Sequence, residues 1–387
     1  MHKILTLNNI SVAGLERLPR ENYEVASEIQ HPDAILLRSF NMHNWDIPES
    51  VKAIGRAGAG VNNIPVDEMS QRGVPVFNAP GANANAVKEL VIAGMLIAAR
   101  NLCQGWSFAC GLEGEDSEIS KQVESGKKNF AGFELPGRTL GVIGLGAIGV
   151  QVANVAHALG MKVIGYDPDI TVQSAWQMSS DVEQAAGVDD LLSRSDFVTF
   201  HVPLVDATRH MINEERLRTM RDNVVLLNFS RNGIIDDEAV VKALDEGKVY
   251  SYVCDFPSNL LKSHPRVVTL PHLGASTKEA EDNCAIMVAD QISDFLENGN
   301  VRNSVNFPKL YMKRGSACRL TVVNANVPNM LGQISTTLAE SGLNIIDMIN
   351  KSRGELAYTL VDVEGDVCQE CVDKIAATEG VLSVRVL

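Results

Sequence analysis

The stretch Thr139 to Asp167, TLGVIGLGAIGVQVANVAHALGMKVIGYD, constrains the fold more than any other part of the chain. An apolar strand pattern, LGVIG, runs into the spacing Gly144-Leu-Gly146-Ala-Ile-Gly149, a helical pattern follows at once, and a second strand pattern closes on Asp167. The glycines have separate roles. Gly144 permits a tight turn, Gly146 lets the backbone approach a bound pyrophosphate, and Gly149 lets helix and strand pack closely. The first helical turn, with Ala147 and Ile148, offers backbone N–H groups and the positive end of the helix dipole to phosphates. Strand, turn, helix and strand in this order predict a doubly wound parallel sheet of the Rossmann type. Asp167, eighteen residues beyond Gly149, can accept hydrogen bonds from ribose hydroxyls and would repel the extra phosphate of NADP. The expected cofactor is therefore NAD.

Strand candidates DFVTFHV, NVVLLNFS, YSYVCD and RVVTLPH continue the pattern, with helical segments between several of them. Before it, ILTL, AILL, KAIG and VPVFN alternate with polar connections, which predicts a smaller α/β domain. Two long helical patterns, Ala86 to Asn101 and Ala275 to Gly299, lead out of that domain and back into it. The expected division is residues 1–87 with 275–306 as one domain and 88–274 as a dinucleotide-binding domain. A polar linker, 307–316, would then lead to a tail, 317–387. In the tail the order βαββαβ predicts a ferredoxin-like sheet backed by two helices.

A chain of 387 residues has ample material for two or three cores. Its net charge of −14 works against nonspecific nucleic-acid binding, so an anionic substrate would need a local cluster of cations. No apolar run is long enough to span a bilayer, and the segment MHKILTLNNI reads as a strand rather than a signal peptide. These features set the expectation of a cytoplasmic protein with no membrane partner. The seven cysteines lack paired spacing apart from Cys368-Gln-Glu-Cys371, and a zinc ribbon would need a second pair, so no metal is expected.

Strand ends of an open parallel sheet are where such folds place ligands, and two sit beside distinctive sequences: Asn228-Phe-Ser-Arg231 and Pro271-His272-Leu-Gly-Ala-Ser-Thr277. With the glycine motif and the stretches GRAGAGVNNIP and FNAPGANANAVKEL, they resemble the D-isomer-specific 2-hydroxyacid dehydrogenases over roughly residues 1 to 306, most closely the phosphoglycerate branch. The resemblance implies that Arg231 holds the substrate carboxylate and carbonyl and that His272 carries the proton. The chemistry suits both: a guanidinium makes two parallel bonds to a carboxylate, and imidazole titrates near neutrality. It also implies that Asp255 contacts the nicotinamide carboxamide and that Pro203 lies along the cofactor. One departure stands out. Four or five residues beyond Asp255 the family carries a glutamate that orients its histidine, and here those positions read Asn259 and Leu260.

On the same resemblance, Arg38, Arg56 and Asn83 contact the substrate. With Arg231 the two arginines would set three fixed charges around a phosphorylated acid, 3-phosphoglycerate. Rival expectations are a glyoxylate or hydroxypyruvate reductase of the same family, or an NAD-sensing binding protein of the same fold. The tail resembles the ACT regulatory module, which pairs across subunits of a homodimer or homotetramer and binds L-serine. That places effector contacts at Asn324, Asn326 and Asn344, the last two separated by 18 residues.

Overall fold

In a computed structural model, which describes residues 1–315 and 318–387, the chain forms three sheets. The first contains β1 (His2–Leu7), β2 (Tyr23–Ala26), β3 (Ala34–Leu37), β4 (Ala53–Arg56) and β5 (Val76–Phe77), all parallel, in the order β2-β1-β3-β4-β5. The continuous apolar run of β3 is buried at every position, as expected of a parallel strand covered on both faces. β2, of sequence YEVA, is too short and too mixed to be read from its pattern.

The second sheet has seven strands: β6 (Thr139–Ile143), β7 (Lys162–Tyr166), β8 (Glu183–Gln184), β9 (Phe197–Phe200), β10 (Val224–Asn228), β11 (Val249–Cys254) and β12 (Val267–Thr269). Every pairing is parallel, in the order β12-β11-β10-β9-β6-β7-β8. Chain order reverses between β6 and β9, so connections leave their C-terminal ends in opposite directions and open a crevice there. Helix Ala84–Arg100 covers one face with Val87, Val91, Met95 and Ala98, an i, i+4, i+8, i+11 stripe that keeps the side chains on one side.

The tail sheet contains β13 (Cys318–Ala325), β14 (Asn344–Arg353), β15 (Leu356–Glu364) and β16 (Val381–Val386), antiparallel in the order β14-β15-β13-β16. Helices Met330–Glu340 and Gln369–Ala376 contribute Ile334, Leu338, Cys371 and Ile375 to its core.

The chain divides into two compact units, Met1–Asn83 with Lys278–Leu387, and Ala84–Thr277. The tail therefore shares a unit with the first sheet, and residues 307–315 of the segment expected to be a polar linker form a packed strap, its expected boundary at 316 and 317 lying outside the described residues. Phe307, Leu310 and Met312 are buried in the core that also holds Phe77, Phe295, Tyr358 and Leu360. Three apolar side chains at alternating or near-alternating positions are obscured in the sequence by their polar neighbours. Arg319 ties the arrangement together. It is fully buried and bidentate to Asp362, with Nε to Oδ1 at 2.5 Å and Nη2 to Oδ2 at 2.9 Å. Its remaining N–H groups reach the carbonyls of Asn298, Met312 and Lys313.

The helices Leu102–Cys110 and Asp116–Gly126 are not legible as a packed element in the sequence, since the first buries no residue at all. No helix among the described residues is long and apolar enough to cross a membrane.

Candidate cofactor and catalytic site

β6 delivers the glycine turn to the crevice of the second sheet. Gly144 has φ +92°, and a β-carbon there would lie 2.6 Å from the carbonyl oxygen of His201. At Gly149 a β-carbon would lie 1.9 Å from the Gly144 carbonyl oxygen, so only glycine lets the helix start this close to the strand. Gly146 differs. A β-carbon there would meet nothing within 4 Å, and Gly146 is the N-cap of helix Ala147–Ala158 with no side chain capping it. An open cradle at an uncapped helix N-terminus fits a pyrophosphate, and Ala147 and Ile148 stand in its first turn.

Asp167 follows β7, and two backbone donors hold its carboxylate in place. Oδ2 accepts from the N–H of Leu145 at 2.7 Å and Oδ1 from that of Asp169 at 2.9 Å. These bonds fix the carboxylate beside the turn while leaving lone pairs for ribose hydroxyls. Pro203 lies in the exposed loop after β9, where its carbonyl accepts from the Thr208 hydroxyl. Beneath the glycine turn sits His201, which no sequence pattern singles out. Its ring is bonded to Thr199 through Nε2 at 3.1 Å, and its buried Nδ1 has no partner. Burial pushes its pKa down to about 3, and its main-chain carbonyl packs against Gly144 in the turn.

At the end of β10, buried Asn228 shapes the loop that carries Arg231. Its Oδ1 accepts from the N–H of Ser230 and its Nδ2 donates to the Arg231 carbonyl at 3.0 Å. The Arg231 side chain is left exposed, with Nη1 donating to the Ser230 carbonyl. At the end of β11, Asp255 is 1% exposed. Its carbonyl and that of Leu270 both accept from the backbone N–H of His272, and its Oδ2 accepts from Gly274 N–H at 3.3 Å. Oδ1 is buried without a partner. Burial pushes the Asp255 pKa up, against the opposing pull of the His272 charge, the Gly274 N–H and the Arg231 charge.

His272 has φ +48°, a left-handed conformation that is costly for a residue with a β-carbon. Its backbone bonds hold it there, and its ring meets that of Phe256 edge to face at 5.1 Å. The second unit thus brings Arg231, Asp255 and His272 into one electrostatic neighbourhood at the strand ends. Asn259 and Leu260 follow Phe256, and Leu260 is 45% exposed. The carboxylate after β11 that is buried beside His272 is Asp255.

In the first unit, Arg38 and Arg56 follow and end β3 and β4. Arg56 Nε donates to the Arg38 carbonyl at 3.0 Å, and Arg38 pairs with Glu281 at 2.7 Å. Both charges act on the buried thiol of Cys284, whose pKa burial raises and the arginines lower. Asn83 is half-buried in the turn before helix Ala84–Arg100. In the tail, Asn324 is 1% exposed, with Nδ2 donating to Ala325 and Oδ1 buried without a partner. Asn326 donates to the Gly354 carbonyl, and Asn344 to Glu364.

Comparison with known proteins agrees with this geometry. The profile of the D-isomer specific 2-hydroxyacid dehydrogenase NAD-binding domain matches residues 94–274. The D-3-phosphoglycerate dehydrogenase of Methanocaldococcus jannaschii is 37% identical over 88% of this chain, which spans 63% of that protein's length. That of Escherichia coli is 30% identical over 88% of this chain and 82% of its own. The crystal structure of NAD-bound 3-phosphoglycerate dehydrogenase from Entamoeba histolytica superimposes with a TM-score of 0.60 at 27% identity, covering 80% of this chain and 99% of that one. With the cradle, the acid and the strand-end residues in place, the chain belongs to the D-isomer specific 2-hydroxyacid dehydrogenases.

Proposed function

We propose that the protein oxidises 3-phospho-D-glycerate to 3-phosphohydroxypyruvate with NAD, the reaction named for its relatives from both archaeal and bacterial sources. The observation that carries the reading is the neighbourhood of Arg231, His272 and buried Asp255 at the same sheet edge as the pyrophosphate cradle. Bound NAD supplies the hydride acceptor. Arg231 binds the substrate carboxylate and C2 oxygen, and its permanent charge stabilises the negative charge that develops on that oxygen as the hydride leaves C2. His272 accepts the hydroxyl proton, so C–H and O–H break while the carbonyl forms. Asp255 would accept from the nicotinamide carboxamide and favour the imidazolium that forms, a role supported by its buried, unpartnered Oδ1 and its interaction with His272. Arg38, Arg56 and Asn83 serve the phosphate end of the substrate.

The test is turnover with a panel of 2-hydroxy and 2-keto acids. Activity confined to unphosphorylated acids would assign the protein to another branch of the family, and no turnover with any would leave a binding protein. Replacing Arg38 or Arg56 should raise KM for 3-phosphoglycerate far more than for an unphosphorylated acid.

The tail, on this reading, is an ACT module through which L-serine inhibits a cytoplasmic homodimer or homotetramer. The unpartnered Oδ1 of Asn324 supports an effector there, and the outward face of helix Leu102–Cys110, with Trp106 71% exposed, supports assembly. Serine titration of the wild type and of Asn344→Ala tests it. Inhibition by millimolar serine that weakens in the variant is expected, and none in the wild type would overturn it.

A further inference from the structure

The imidazole of His272 has no carboxylate from Asn259 or Leu260 to orient it, and both of those residues are exposed. Its backbone is well fixed. The main-chain N–H donates to the carbonyls of Asp255 and Leu270, and φ is held at +48°. These bonds set where the side chain leaves the chain but not its torsions, and a change of rotamer would swing the ring nitrogens away from their working place. Among the described residues no hydrogen bond reaches the ring itself. What does meet it is the ring of Phe256, with centroids 5.1 Å apart and planes at 67°.

Phe256 is in turn tied down on both sides. It follows β11 directly, and its carbonyl accepts from the Cys254 thiol at 3.8 Å. The next residue is Pro257, which fixes its own φ and confines the residue before it to extended backbone. Beyond it the Ser258 hydroxyl donates to Asp237 Oδ2 at 3.1 Å and accepts from the Leu261 N–H at 3.3 Å. Asp237 opens helix Asp237–Asp245, which buries Val240 and Leu244 in the same core as Leu261. The loop therefore presents a half-buried aromatic ring from an anchored backbone.

We propose that Phe256 is the positioning residue of His272, an aromatic ring that orients the imidazole by packing where relatives of this chain use a carboxylate. The inference rests on the reading of His272 as proton carrier. Edge-to-face rings constrain each other in tilt and rotation, so the contact selects an orientation without supplying a charge. Ser258 and Asp237 act one step further back, by holding the loop.

The experiment follows NADH formation in a single turnover of the full chain, with whichever 2-hydroxy acid the substrate panel shows to be turned over. Phe256→Leu should slow that step on the order of tenfold to a hundredfold, the scale of a misplaced catalytic group. KM and NADH affinity should change little, and Phe256→Tyr, which keeps the ring, should recover most of the rate. Ser258→Ala should give a smaller loss of the same kind, and it carries the test if Phe256→Leu does not fold. A normal rate in Phe256→Leu, equal slowing by leucine and tyrosine, or a loss spread evenly over rate, KM and NADH affinity overturns the proposal. So does a normal rate in Ser258→Ala where that variant stands alone. His272→Gln separates this from the reading beneath it: if it is slow while Phe256→Leu is fast, only the positioning role is refuted, whereas a fast His272→Gln refutes the proton carrier itself.

Discussion

Two buried charged assemblies in this molecule differ in one respect: whether their hydrogen bonds are closed. Around Arg319 and Asp362 every oxygen and nitrogen has a partner, including three main-chain carbonyls and the Gly315 N–H. Around Asp255 one carboxylate oxygen is left open, the neighbouring His272 is held at positive φ, and Arg231 points outward. Burial alone does not mark function. The closed network fixes architecture at the junction of tail and strap, whereas the open oxygen of Asp255 supports the cofactor contact proposed for it.

The largest effect that would separate the two is on turnover. Arg231→Ala should lower kcat/KM by about 10³-fold or more, the scale of losing a charged group that stabilises a developing oxyanion. NADH binding should change little, because the cradle at Gly146 and the acid at Asp167 lie on other connections. Steady-state kinetics with NADH titration checks this, and near-normal turnover would remove Arg231 from the site. Stability should be unaffected, since its side chain is exposed.

Arg319→Met should do the opposite, costing roughly 3 to 5 kcal/mol by leaving Asp362 buried and alone. Adding Asp362→Leu should recover only part of the loss. The carbonyls of Asn298, Met312 and Lys313 would still lack the guanidinium. Denaturant unfolding of the single and double variants measures the difference, and full recovery would mean that the carbonyl contacts contribute nothing. The wild type carries a pH test of the same pair. Burial alone would raise the Asp362 pKa, but the Arg319 hydrogen bond, the Gly315 N–H and the arginine charges hold it below the usual value. Its stabilising contribution is therefore present above the unfolded carboxylate pKa, about 4, and lost as pH falls through the lower folded value. Loosening of the tail should set in only below about pH 4.

The sequence was most informative where backbone geometry demands one residue type. Gly144 and Gly149 can be nothing larger, so their spacing announced the turn, the helix and the sheet around them. The βαββαβ order of the tail was equally legible from its long alternating strands. What stayed hidden depended on packing at a distance. Arg319 reads in CRLTVV as one more polar position on an alternating strand, yet its partner is 43 residues away. Phe307, Leu310 and Met312 look like scattered apolar residues in a linker until the strap closes on Tyr358. His201 and Asn228 escaped for a related reason: each supports a functional loop from below, and no spacing rule marks a supporting residue.

The smallest expected effect tests the comparison most sharply, because it opposes stability to activity at a single atom. Asp255→Asn keeps an acceptor for the Gly274 N–H and nearly the same shape, but removes the charge. In the folded protein burial raises the Asp255 pKa against the pull of His272 and Arg231, so ionisation is disfavoured there relative to the unfolded chain. A raised acid pKa means that the wild type gains stability as pH falls from neutrality through the folded value, down to the unfolded one. The variant should lack that dependence and, near pH 7, be more stable by roughly 1 kcal/mol. Its turnover should fall at the same time, with the alkaline-favoured limb of the oxidation rate moving toward lower pH, since without the carboxylate the His272 imidazolium loses a stabilising charge. Thermal denaturation across pH and a pH–rate profile together decide the matter. A variant that is less stable at neutral pH, with an unmoved profile, would place Asp255 with Asp362 as part of the architecture.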